Sequence, residues 1–255
     1  MPQNTPNKFA TSLLFFCLGV TLAHADTWDG LFIGINAGSA TSTSKYQTGP
    51  NNESWFKSQN VTENMWKSGN NTKTNDATIS AISIAYNRQA SALVYGGEIG
   101  LSLMDVSMNK NGSYPYIPSN NHYYNYNQSS KLSGLLTIKG RTGYAFGNSL
   151  LSVTAGGAAT NLRTGLDFED SYAGDGKYSA SHHDRDVRFG WTAGVSYQYM
   201  LPSNFVLKAE YQYFDFGKSS FNTPVHAGDG TYITQMNYSS KISLNTFMIG
   251  VERKF

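Results

Sequence analysis

Apolar and polar positions alternate along most of the chain beyond residue 30, the period-two signature of a strand with one face buried. Phe189, Trp191, Ala193, Val195, Tyr197 and Tyr199 fall on one face, with Gly190, Thr192, Gly194, Ser196 and Gln198 on the other. At the C-terminus Phe247, Ile249, Val251 and Phe255 share a face opposite Met248, Gly250, Glu252 and Lys254. The pattern predicts eight strands: Leu31–Ala40, Thr78–Gln89, Leu93–Val106, Leu132–Phe146, Leu150–Leu162, Val187–Met200, Phe205–Phe216 and Ile242–Phe255. No stretch sustains a helical period, so no helix is expected among them.

The connections set the topology. Ala90-Ser91, Gly147-Asn148-Ser149 and Pro202-Ser203-Asn204 have turn composition and join strands two to three, four to five and six to seven. The other connections are long and polar: Thr41 to Ala77, a second stretch holding Tyr114-Pro115-Tyr116 and His122-Tyr123-Tyr124, Asp167 to Asp186, and Gly217 to Lys241. Strict alternation puts three short turns at one end with both termini and four long loops at the other. That is the layout of an eight-stranded antiparallel up-and-down transmembrane β-barrel.

Alternation alone also fits a soluble barrel, and the polar-face residue types decide between them. A soluble barrel turns that face to water and carries long charged side chains there. Here it holds Gly34, Asn36 and Gly38, then Ser152, Thr154 and Gly156, then Thr192, Gly194 and Ser196. Small residues suit the cramped interior of eight strands, so the aromatic-rich face is expected to meet lipid.

Composition sharpens this reading. Charged residues are 14% of the 255, against about 25% in ordinary soluble domains. A net charge of +2 provides no footprint for nucleic acid. Lys8, the apolar run from Phe9 to Val20 and Ala23-His24-Ala25 read as a cleaved signal peptide, residues 1–25, followed by one barrel domain, 26–255. Cleavage would also remove Cys17, the only cysteine, and with it any thiolate or disulfide chemistry.

Six charges fall on the inward face: Glu98, Lys139, Arg141, Lys208, Glu210 and Glu252. In a narrow lumen both signs imply a paired network, read either as a salt-bridged plug or as an ion path with these residues setting selectivity. No metal-binding spacing is present. His182-His183-Asp184, with Ser179 and Ser181 near, supplies hydrolase residue types. Adjacent strand residues point to opposite faces, however, so the chain is read as a non-enzyme.

Several segments resemble the small outer-membrane β-barrel surface proteins of Gram-negative bacteria, the porin-like or opacity-type antigens. They are Trp28-Asp29-Gly30-Leu31-Phe32-Ile33-Gly34-Ile35-Asn36-Ala37-Gly38, Gly140-Arg141-Thr142-Gly143-Tyr144-Ala145-Phe146, Gly190-Trp191-Thr192-Ala193-Gly194-Val195 and the run Leu207 to Gly217. The C-terminal strand is similar to the outer-membrane assembly signal through Phe255, Val251, Ile249 and Phe247, with Arg253 where an aromatic is usual. The resemblance implies outer-membrane location, contact with membrane lipid and the barrel assembly machinery, and a structural or surface-interaction role through the loops. A small porin is the alternative it also implies. It implies no resident cofactor, although haem binding occurs among similar proteins. Candidate loop ligands are then His122, His182, His183 and His226, with Tyr123 and Tyr124 in a tyrosine-rich second loop, Tyr114 to Tyr126, that reads as an adhesive patch or as solvated aromatics stacked on one another.

Overall fold

The computed structural model describes residues 28–51, 59–115, 122–170 and 177–255. The expected signal peptide lies outside the described residues. Eight strands close into one barrel in sequence order: β1 Gly30–Pro50, β2 Asn71–Ala90, β3 Leu93–Pro115, β4 Tyr123–Phe146, β5 Ser149–Asp170, β6 Tyr178–Met200, β7 Phe205–His226 and β8 Tyr232–Lys254. Every neighbouring pair is antiparallel, and β1 pairs β8 to complete the ring. The short turns lie where expected. In the β4–β5 turn Gly147 adopts φ +59°, a conformation costly for a residue with a Cβ.

All eight strands are found, but each runs 20 to 24 residues, well past its predicted external end. Much of the four polar connections is therefore barrel wall. The reason is visible along β1. Its outward residues are Leu31, Ile33, Ile35 and Ala37, and then Ser39, Thr41, Thr43, Lys45 and Gln47. Alternation continues past Ala37, but the polarity of the outward face changes. Inward positions alternate between apolar and polar layers instead, with Phe32, then Gly34 and Asn36, then Ala40, then Ser42 and Ser44, then Tyr46. The lower barrel is thus inside-out, with Ile35 68% and Phe189 77% exposed on its apolar belt, whereas the upper barrel has the polarity of a soluble domain.

Above the belt the ring divides. Pairing of β2 with β3 ends at Ile79↔Met104, and β6 makes one pair with β7, Ser179↔His226, above Trp191↔Asp215. Two four-stranded leaves result, β3–β6 facing β7–β8–β1–β2. A bulge at Asp215–Lys218 bends β7 at this seam, with Gly217 at φ +70°. Side chains stitch the seams: Asn75 donates to the Ser107 carbonyl at 2.8 Å, and Arg188 donates to the Ser219 hydroxyl at 2.8 Å.

An 11-residue helix, α1 (Gln59–Gly69), corrects the expectation of no helix. Its period is hidden in the sequence because, among its described side chains, only Met65 is a fully buried apolar residue. It packs against β1 and is held between the leaves: Ser68 bonds the Tyr124 hydroxyl at 3.1 Å, and Gln128 donates to the Gly69 carbonyl at 2.9 Å. Trp66 lies on Gly49 so closely that a Cβ there would overlap its ring. Gly49→Val is therefore expected to dislodge α1 while the barrel stays closed. Limited proteolysis should cut between residues 51 and 70 several-fold faster, with the folded-barrel mobility on unheated gels unchanged.

Candidate functional site

Among the described residues no helix is long and apolar enough to cross a membrane. The belt of exposed Ile, Leu, Val and aromatic side chains belongs to strands, so the lumen inside that belt is where transport would occur. It is filled in layers. At the short-turn end Trp28, Phe32, Val94, Leu150, Met200 and Val206 form an apolar plug.

Next come the six predicted lumen charges, all inward and none more than 5% exposed. They are three cations and three anions on four strands, and they interlock. The Lys208 ammonium lies 2.7 Å from Glu98, 2.8 Å from Glu210 and 3.3 Å from Glu252. Lys139 lies 2.9 Å from Glu98, its direct partner across β3–β4, and 2.7 Å from Glu210. Arg141 lies 3.6 Å from Glu98 and donates to the Gln198 side-chain oxygen. Gln198 in turn donates to Glu252, joining β6 to the network. Gln212, next inward on β7 after Glu210, ties β7 to β5 and β6 through Thr154 at 2.6 Å and Thr192 at 2.9 Å. Neither glutamine is among the residues expected from the sequence, although Gln212 shares the inward face of β7 with Lys208 and Glu210. A neutral amide on an alternating strand carries no signal beyond its polarity.

Above the charges lies a second apolar layer, including Ile79, Leu132, Phe214, Ile242 and Leu244. Bonded hydroxyls of Ser44, Ser130 and Ser240 lie above it. The external end is closed by Tyr46, Tyr124, Tyr126, Phe168 and Tyr238 packed with Met65 of α1. The Tyr46 hydroxyl donates to the Met108 carbonyl at 2.7 Å.

The candidate loop ligands do not converge. Tyr124 is an inward core residue stacked on Tyr114 at 5.7 Å, whereas Tyr123 faces out. The described part of the expected adhesive tyrosine loop is thus largely strand, and its Tyr114, Tyr124 and Tyr126 rings serve the interior. His182 and His183 alternate on β6: the first packs on Phe221 at 4.4 Å by the seam, and the second reaches Asp167 at 3.2 Å. Ser181 donates to the same Asp167 oxygen at 2.7 Å, so its hydroxyl proton is directed to a carboxylate rather than an imidazole. His226 ends β7 edge-on to Tyr232 at 6.2 Å, and half-buried His122 precedes β4. Among the described residues no three His, Cys, Asp or Glu side chains gather as a metal set. At the C-terminus Phe247, Ile249, Val251 and Phe255 all face out, and the Arg253 guanidinium lies over Phe205 and Phe255 at 5.8 and 5.4 Å. Those rings shelter the charge at the barrel rim.

Both the charged layer and the tyrosine cap can be tested by perturbation. Lys208→Met removes the cation shared by three buried carboxylates, and is expected to cost about 3–5 kcal/mol in urea unfolding of the detergent-refolded barrel. In the external core, burial raises the hydroxyl pKa values of Tyr46, Tyr124, Tyr126 and Tyr238 above their usual 10.0. The unfolded chain ionises first, so this contribution is intact below pH 10 and declines as the pH rises beyond it. An absorbance titration at alkaline pH should show exposed tyrosines ionising first and these four only as the cap loosens.

No family model matches the chain. The 31 kDa outer-membrane immunogenic proteins of Brucella melitensis and Brucella suis are each 27% identical over 240 residues, spanning 92% of this chain and 88% of theirs. Among solved structures, OprG from Pseudomonas aeruginosa aligns over 89% of this chain and 96% of its own, at 14% identity and a TM-score of 0.48. The outer membrane protease OmpT from Escherichia coli aligns over 92% and 100%, at 13% identity and a TM-score of 0.45. With its apolar belt turned outward, its ion pairs turned inward and a Brucella likeness along nearly its whole length, the chain is a small outer-membrane β-barrel protein of the Gram-negative cell surface.

Proposed function

We propose that this protein is a closed barrel that anchors a rigid surface domain, with a structural and contact role rather than passage of solutes. The observation that carries the reading is the filled lumen: two apolar layers, an ion-pair layer between them and a tyrosine core with α1 block the bore at successive heights. Eight strands leave room for little beyond side chains. A charge network on an ion path needs water and free ligand positions, and here each ammonium is already held by two or three carboxylates. What remains available is the outside of the two leaves, carried on paired wall strands.

The name of the Brucella relatives, immunogenic outer-membrane proteins, fits a protein that displays external surface, and brings the same expectation to this chain. Planar-bilayer recording of refolded residues 26–255 tests the proposal, with heat-modifiable gel mobility as the folding control. Folded protein is expected to give no discrete conductance steps. Reproducible steps from the folded band would overturn the closed-barrel reading in favour of a small porin.

A further inference from the structure

One row of side chains on the outer wall is not explained by folding. Lys131 on β4, Arg163 on β5 and Arg185 on β6 are direct cross-strand partners, Lys131↔Arg163↔Arg185, on the outward face. Like charges placed opposite one another in a sheet are destabilising. Only Lys131 has a carboxylate, Asp105 at 2.7 Å. Among the described residues the Arg163 and Arg185 guanidinium groups have none, and both are exposed. Of the acids on this leaf, Asp167 is engaged with His183 and Ser181, Glu169 with Lys177 and Asp186 with Arg188, while Asp184 accepts the Arg185 backbone N–H at 2.8 Å rather than a guanidinium.

The height of this row is informative. Val187 lies one outward position below Arg185, and Ala159 lies two below Arg163, so the row stands about 5–10 Å above the end of the apolar belt, given the strand rise and barrel tilt. That is where lipid headgroups meet the wall. Ser107, Asn109 and Ser129 share a shallow cleft with the three cations, beside His183 and the single carboxylate Asp184, and add hydrogen-bonding groups suited to sugar hydroxyls. Apolar wall for acyl chains lies directly below, at Leu103, Leu136 and Phe189.

From this vertical order of acyl surface, polar groups and unpaired cations, we infer that the β4–β6 face binds a phosphorylated glycolipid of the outer leaflet, with Arg163 and Arg185 on its phosphate. Two guanidinium forks match phosphate oxygens in a way ammonium groups do not. Bound phosphate also relieves the repulsion along the row. The lipid thereby becomes part of the wall, holding β5 to β6 beside the seam where β6 loses β7.

The test is retention of bisphosphorylated lipid A by the refolded full barrel, measured by native mass spectrometry after detergent exchange. Wild type is expected to retain it, and R163Q/R185Q to retain at least tenfold less. K45Q/K218Q, with equal charge loss on the other leaf, should match wild type. Folding of each variant is read from heat-modifiable mobility. Wild-type protein with phosphate-free lipid A gives a test independent of mutation, and is expected to show the same tenfold loss. Equal retention of the two lipids, equal retention by R163Q/R185Q, or full displacement by millimolar inorganic phosphate would each overturn the inference, the last by assigning the site to free phosphate.

Discussion

Lipid offers no hydrogen bonds, so every backbone amide of the membrane segment must be paired within the sheet, and a sheet without an unpaired edge must close. Closure of eight strands constrains nearly all the rest of the molecule. The bore is too narrow for bulk water and must be filled, yet its wall alternates with a face that has to be apolar for the membrane. Charges on the inner face therefore have to neutralise one another. Three cations and three anions interlock at the bore, with Gln198 joining Arg141 to Glu252. The same groups without their partners would make the membrane segment untenable.

Closure is needed only where lipid is the solvent. Above the belt water can satisfy a strand edge, and there the ring relaxes into two leaves with seams at β2–β3 and β6–β7. The outward face changes from apolar to polar at the same level, because a wall in water has no need of apolar surface, while the interior gains a tyrosine-rich apolar core. One continuous set of strands thus serves two solvents. The bulge at Gly217 lies at the transition, where β7 leaves β6 and begins to wrap the external core.

The membrane portion is legible in the sequence because its two faces differ in residue type at every second position. That parity alone places the six lumen charges, and it places the outward C-terminal residues as well. The external portion is harder to read. Asn, Ser, Thr and Lys on the outward face of a strand in water look like loop composition, so the alternation of Tyr124, Tyr126 and Gln128 with Asn125 and Asn127 reads as a polar connection. Helix α1 escapes notice for a related reason: its described anchors are Met65 in the tyrosine core, Trp66 on Gly49 and polar contacts from Ser68 and Gly69, too few apolar positions to announce a period. The separation of the leaves depends on a pairing that is absent, and no residue type announces it.

The position of Glu252 has a consequence for biogenesis. Strand β8 brings both the partner that closes β1 and the third carboxylate that holds Lys208. A nascent chain that has delivered seven strands has two open edges and an ammonium short of an anion, and each defect is repaired by the same final segment. The barrel thereby checks its own strand count: ring topology and charge neutrality are completed together, and a prematurely ended chain fails on both.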